Sequence, residues 1–303
     1  MADHFETSLV GFRYWLPYSG RYKSEQTVTQ YVTAAQRLAS WARAQGRESF
    51  GELTKADLRS FLSSLPGRGG KPASASSKAT IHWAIRSLYK YLAEDEGIPD
   101  IAREITIGRP QASARVTHLD REEIGRLLKA CDGPREQAVV SVALDAGLRI
   151  SELASLQVTD VCLDNLRARR ILVTGKGSKV RAVVIGVSTA RALQKYLAWR
   201  AKQPGADLPD LWLGVRGRLT VSGLDRLIRL AGTRAGLSVN PHLLRHSWAH
   251  HFRLNGGQTD NLVYLAGWSG PAMALRYGQS AAAERAEQEA MGLSLVDRMR
   301  GRP

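Results

Sequence analysis

The hydrophobic period of this chain is helical almost throughout and switches only once. Two β-branched runs, Ala168–Thr174 and Val180–Ile185, flank the turn Gly175-Lys176-Gly177-Ser178, the pattern of a hairpin. A chain written this way folds as a mainly α protein with a small antiparallel sheet inside its second half. At 303 residues it has room for about two domains.

The helical stretches divide accordingly. Residues 1–20 read as an N-terminal arm with aromatic anchors at Phe12, Tyr14 and Trp15. Residues 21–97 read as an all-helical domain of three helices. The first runs from Thr27 to Gln45 and stops at Gly46; the second runs from Thr54, an N-cap three residues before Asp57, to Leu65. Residues 66–77, rich in Gly, Pro, Ser and Lys, read as a loop. The third helix, Ser77–Glu94, carries Ile81, Ile85, Leu88 and Leu92 on one face and Lys78, His82, Arg86 and Lys90 on another. Residues 98–118 read as a linker and 119–303 as a second domain. There Asp120 caps a helix, a buried helix runs from about Arg135 to Asp145 and ends near Gly147, and a short helix covers Ser151–Leu156. Beyond Thr189 the pattern is helical, with breaks near 204–219, 236–241, 256–257 and 267–270.

Charge narrows the partners. The net charge is +15, of which residues 1–112 carry +4 and residues 113–303 carry +11. Such an excess attracts polyanions, because neutralising phosphates releases condensed counterions. The two cysteines, Cys131 and Cys162, cannot build a disulfide framework, which fits a reducing cytoplasm. The first 20 residues have no signal-peptide pattern, and no apolar run is long enough to span a bilayer, so no membrane partner is expected.

Four separated segments carry chemistry-bearing residues. In the first, Gly147 breaks a helix and leaves Arg149 between Leu148 and Ile150, near the core. A buried guanidinium needs an anion, and Glu152 can orient it across one turn; a purely structural pair would look the same. The second is the hairpin turn, where Lys176 between glycines can approach a phosphate, or simply be solvated. The third is His242-Leu-Leu-Arg-His246, which puts His242 and Arg245 on one helix face. His242, His246 and His250 lie four residues apart, but no Glu follows His242 as a zinc motif requires, and no metal or other cofactor is expected. The fourth ends in Trp268 and, nine residues on, Tyr277, separated by a Gly-Pro break. A single tyrosine is usually a core residue, and Tyr264 is the better candidate for that role.

Taken together, these segments resemble the tyrosine recombinase (phage integrase) family, in particular its simple Xer/Cre-like members. The resemblance is close over residues 119–280 and loose over the helical domain before them. It implies a helical, SAM-like core-binding domain followed by a mixed α+β catalytic domain. It implies Arg149 and Arg245 as phosphate clamps, Lys176 as general acid, His242 as acid/base or phosphate ligand, Glu152 as a support and Tyr277 as nucleophile. Trp268 stands where many members have a histidine; an indole can donate one N–H and pack on the nucleophile's helix, but cannot shuttle a proton. Tryptophan occurs there in other members too.

The chemistry suits the residues. Attack on a phosphodiester builds negative charge, which two guanidinium forks can stabilise. A phenol needs positive surroundings to lose its proton, and an ammonium can protonate the leaving 5′-oxygen. The family implies a 3′-phosphotyrosine, a Holliday junction and a synaptic homo-tetramer on double-stranded DNA with short inverted-repeat core sites, without metal or ATP. An accessory DNA-bending or directionality protein stays open, and the expected location is the cytoplasmic nucleoid. Lys78, Arg86, Lys90, Lys179 and Arg181 are the expected DNA contacts. The apolar tail Ala286, Ala290, Met291, Leu293, Leu295 and Val296 either caps the core or docks on a neighbouring protomer, as in the family. About 20 residues precede the first helix, too few for a separate arm-binding domain. A type IB topoisomerase-like enzyme and a non-catalytic DNA-binding protein with this fold are the competing readings.

Overall fold

The computed structural model describes residues 3–19, 24–108, 117–163, 169–175, 179–215 and 217–292. The chain divides into two compact units, Met1–Ala112 and Ser113–Pro303.

The first unit is helical. Its helices are α1 (His4–Trp15), α2 (Glu25–Ala44), α3 (Lys55–Ser64) and α4 (Ala75–Asp95). Residues expected as an arm are therefore a core element. Asp3 caps α1 by accepting from the Phe5 amide at 3.0 Å, and Phe5, Leu9, Phe12 and Leu16, repeating at helical spacing, are buried against Leu38 and Leu88. Thr54 and Asp57 form a reciprocal capping box at the start of α3, and α4, capped by Ser74, begins two residues before the expected start. The expected linker also begins later. Ala102 and Ile105 are buried in this core, and the Ile105 carbonyl meets the His82 Nε2 at 2.8 Å. His82 consequently leaves the basic face on which its spacing had placed it.

The second unit opens with α5 (Arg121–Lys129), where Asp120 and Glu123 form another capping box. Next comes α6 (Gly133–Ala146), apolar on nearly every side and correspondingly embedded: Ala138, Val139, Val140, Val142 and Ala146 are inaccessible. It ends at Gly147 in the left-handed conformation, φ 57°, and α7 (Ile150–Ala154) follows. The expected hairpin is present as β2 (Arg170–Thr174) and β3 (Val180–Val184), antiparallel with Leu172 opposite Ala182. A two-residue strand, β1 (Val161–Cys162), adds to β2. Then come α8 (Val187–Arg200), the short pair β4 (Leu213–Gly214) and β5 (Gly217–Arg218), α9 (Val221–Arg234), α10 (Pro241–Leu254), α11 (Thr259–Ala266) and α12 (Ala272–Gly292). The main core is built around α6, and a second cluster, containing Trp248, Leu262, Ala266, Ala274 and Tyr277, ties α10, α11 and α12 together. Among the described residues no helix is long and apolar enough to cross a membrane.

Candidate active site

Three guanidiniums converge on one carboxylate. Gly147 redirects the chain so that Arg149 stands at the N-cap of α7, and Glu152 lies one turn later. Glu152 accepts from the Arg149 amide at 2.9 Å and from its Nη1 at 2.8 Å. Arg181, from β3, adds a fork at 3.2 and 2.9 Å, and Arg245 Nη1, from α10, lies 3.9 Å away. Three cations around a single anion leave a local charge of +2.

The end of α11 gathers these cations. Its last carbonyls have no intrahelical partner and carry the negative end of the helix dipole. Leu265 O accepts from Arg181 Nε at 2.8 Å, Ala266 O from Arg245 Nη2 at 2.7 Å, and Gly267 O from Arg149 Nη2 at 2.8 Å. Arg245 Nη1 also donates to Gly147 O at 2.7 Å. Each arginine is thus fixed before any ligand arrives, and Arg149, 41% exposed, is the one open to solvent.

Electrostatics follow the packing. Burial raises the Glu152 carboxyl, but the Arg181 hydrogen bond, the Arg149 amide, the Arg181 charge and the Arg149 side-chain hydrogen bond outweigh it and leave the pKa below the ordinary value. Burial, then the charges of Arg149 and Arg181, pull Arg245 down to about 10 despite Glu152, so it stays cationic at neutral pH. His242 is exposed, and partial desolvation together with Arg245 lowers its pKa.

Tyr277 adjoins this cluster through aromatic contacts. Its ring stacks on Trp268 with 2° between planes and 5.6 Å between centroids, and the Arg245 guanidinium lies 5.5 Å from the Trp268 ring. Tyr277 is only 1% exposed, whereas Tyr264 is 61% exposed. The core role expected of Tyr264 therefore belongs to Tyr277, because α12 packs Tyr277 against α10 while Tyr264 faces outward on α11. The Tyr277 hydroxyl hydrogen-bonds Nδ1 of His246, a residue to which the spacing argument had given no role.

Not every expected site residue joins. Lys176 lies outside the described residues; its flanks close the turn, Gly175 N–H donating to Lys179 O at 2.8 Å. Lys179 is exposed. Arg181, expected as a DNA contact, is buried and its donors are engaged by Glu152 and Leu265, because the alternation of β3 turns it inward. In the first unit Lys90 pairs with Glu94 at 3.5 Å, Arg86 lies 5.3 Å from the exposed Trp83 ring, and Lys78 is half-buried.

The histidine row of α10 splits between two neighbours, His246 meeting Tyr277 and His250 meeting Glu284. His250 is fully buried and its Nε2 meets Glu284 of α12 at 2.8 Å, with His118 Nε2 3.8 Å from the same oxygen. The His118 and His250 rings stack nearly parallel, 3.5 Å apart and 11° inclined, so their lone pairs do not aim at one point. The cluster is a carboxylate latch that fastens α12 to α10.

Comparison with known proteins places this arrangement. Residues 117–284 match the Phage integrase family, and residues 18–98 match the Phage integrase, N-terminal SAM-like domain. The chain is 30% identical over 257 residues to tyrosine recombinase XerC of Xanthomonas campestris pv. campestris (strain B100), covering 82% of this chain and 77% of that one. It is 31% identical over 258 residues to tyrosine recombinase XerD of Mycobacterium tuberculosis (strain CDC 1551 / Oshkosh), covering 78% and 81%. Among solved structures, XerH site-specific recombinase bound to difH substrate in a pre-cleavage complex superposes with a TM-score of 0.70 at 20% identity, covering 91% of this chain and 93% of that one. With a SAM-like helical domain ahead of the arginine cluster and its tyrosine, the chain belongs to the phage integrase family of tyrosine recombinases.

Proposed function

We propose that this protein is a site-specific DNA recombinase that cleaves and rejoins strands through a 3′-phosphotyrosine on Tyr277. The observation that carries the reading is the fixed +2 cluster of Arg149, Arg181, Arg245 and Glu152, which Trp268 joins to Tyr277. A scissile phosphate entering at Arg149 supplies the missing anion. Arg149 and Arg245 bind its non-bridging oxygens and stabilise the charge that grows during attack. Glu152 and Arg181 act behind them: the carboxylate holds Arg149 in place, and Arg181 holds the carboxylate. His242 sits beside Arg245 as a further phosphate or proton partner.

The phenolic proton of Tyr277 passes to the His242 imidazole or to solvent, and the Tyr277 oxygen forms a bond to phosphorus as the bond to the 5′-oxygen breaks. Lys176, on the hairpin turn, protonates that oxygen. The phosphodiester energy is conserved in the new linkage, so a second 5′-hydroxyl can reverse the step on another strand and build a Holliday junction. Because Tyr277 is buried against Trp268, attack requires its hydroxyl to swing from its resting contact to the phosphate.

The assembly we infer is a tetramer on paired inverted-repeat sites. An apolar cavity of about 730 Å³, lined in part by Leu128, Leu144, Val183, Trp248, Phe252 and Leu265, supports it. Leu293, Leu295 and Val296 of a neighbouring protomer have the apolar character to fill such a groove.

A nicked suicide duplex taken from DNA flanking the gene tests the reading. Wild type is expected to form a covalent protein–DNA adduct that Tyr277→Phe does not form. An adduct of equal yield in the variant would remove Tyr277 from the chemistry.

A further inference from the structure

The sequence His242-Leu-Leu-Arg-His246 puts Arg245 and His246 on adjacent positions of α10, about 100° apart around the axis. Arg245 therefore faces Glu152, Gly147 and Ala266, while His246 faces α12. A buried phenol needs a partner for its hydroxyl, and Tyr277, 1% exposed, finds it in Nδ1 of His246. The two ring centroids are 5.4 Å apart, and the His242 ring backs His246 edge-on at 4.1 Å. Trp268 covers the other side of the phenol. The hydroxyl is thus tied to one imidazole nitrogen while the ring is held by one stack.

We propose that His246 is a positioning residue for strand cleavage, its Nδ1 accepting the Tyr277 hydroxyl and setting the direction from which the nucleophile moves to phosphate. This rests on the reading of Tyr277 as nucleophile.

The charge state of the ring supports the geometry. Burial first, then the charges of His242, Arg276 and Arg245, push the His246 pKa down to about 4. The imidazole is therefore neutral at physiological pH and keeps a lone pair for the phenol; an imidazolium would offer N–H donors on both sides and no acceptor. One turn of α10 then serves two purposes: Arg245 faces the phosphate and His246 faces the nucleophile. Their fixed separation on the helix sets phosphate and phenol in register, and register of about 1 Å is worth roughly 100-fold in rate.

The test compares His246→Leu with His246→Asn in the full-length chain. The Asn Oδ1 is as many bonds from Cα as the His Nδ1, so Asn keeps an acceptor in place; Leu keeps only bulk. Single-turnover adduct formation on the suicide duplex and duplex affinity are measured for both, with thermal melts as a folding control. The expected result is a roughly 100-fold slower cleavage in His246→Leu at unchanged affinity, and recovery to within about threefold of wild type in His246→Asn. Leu cleaving like wild type, or Asn as slow as Leu, would overturn the proposal, since neither pattern depends on an acceptor. Failure of wild type itself to form an adduct would sink the nucleophile reading, and this proposal with it.

Discussion

Arg181 Nη2 donates to Glu152 Oε2 at 2.9 Å, and both side chains are at most 7% exposed. A buried ion pair is costly to half-remove: losing one partner leaves the other charged and without compensation, typically at about 3–5 kcal/mol. Arg181→Ala is therefore expected to lose stability in this range by urea denaturation. Its DNA affinity, measured under conditions where it remains folded, should keep the wild-type salt dependence, because a residue that touches no phosphate contributes nothing to counterion release. A salt slope smaller by about one would show that Arg181 contacts the backbone after all.

Acid should destabilise the protein well above the carboxylate range. His82, His242, His246 and His250 all have lowered pKa values, burial being the first cause in each. A lowered histidine is neutral in the fold and takes up its proton first in the unfolded chain. Its contribution is thus complete above the unfolded value of 6.5, and is lost as pH falls toward the folded value, about 4 for His246. Each such group steepens the fall by at most about 1.4 kcal/mol per pH unit. Glu152, also lowered, adds its loss only below the ordinary carboxylate pKa. Denaturation from pH 8 to pH 5 should show stability falling through the range below about 6.5, with His246→Asn giving a shallower curve. A flat profile contradicts the desolvation of these rings.

Much of this was readable from the chain. The one change of hydrophobic period located the hairpin, Gly147 marked the end of α6, and Thr54 and Asp120 were legible as N-caps. Helix α1 was also written at helical spacing in Phe5, Leu9, Phe12 and Leu16, but three neighbouring aromatics drew the reading toward an arm. Strand β1 has two residues and exists only because β2 pairs with it. What no local pattern carries is convergence. Gly267 O reaches Arg149 across 118 positions, and whether Tyr264 or Tyr277 turns inward depends on which helix packs on α10. His246 had a visible signal, a second histidine immediately after Arg245, yet its partner lies 31 residues away.

Trp268 should act on rate more than on affinity. It stacks on Tyr277 and lies beside Arg245, but offers DNA no charge. Aromatic pairs of this kind contribute about 0.5–1.5 kcal/mol, so Trp268→Ala is expected to slow adduct formation by up to roughly tenfold. Duplex affinity should stay within about twofold, a free-energy change of less than about 0.5 kcal/mol. A large loss of affinity would instead place Trp268 against DNA.

Glu284 holds α12 through His250 and lies beside His118. Glu284→Ala strips a fully buried imidazole of its partner, at a cost of about 1–3 kcal/mol. Faster amide exchange in the second half of α12 is the expected signature, with α6 unaffected because it lies in a different core cluster. Unchanged exchange in α12 would mean that apolar contacts alone secure it.

Gly147 tests the geometry of the cluster at its origin. The residue is left-handed, φ 57°, and a Cβ there would lie 2.0 Å from the Trp248 ring. Its carbonyl accepts from Arg245, and the turn it makes places Arg149 at the start of α7. Gly147→Ala therefore meets two costs: about 1–2 kcal/mol for an L-residue in that conformation, and a collision with a rigid indole packed against α6. Relief of the collision requires α10 to move, and α10 carries Arg245. A total near 3 kcal/mol corresponds to a drop in Tm of roughly 6–12 °C at this domain size. Cleavage should fall further than stability alone accounts for, measured at a temperature where the variant is folded. A variant that melts within about 2 °C of wild type would mean that α6 and α10 separate easily at this point, which their shared core contacts do not suggest.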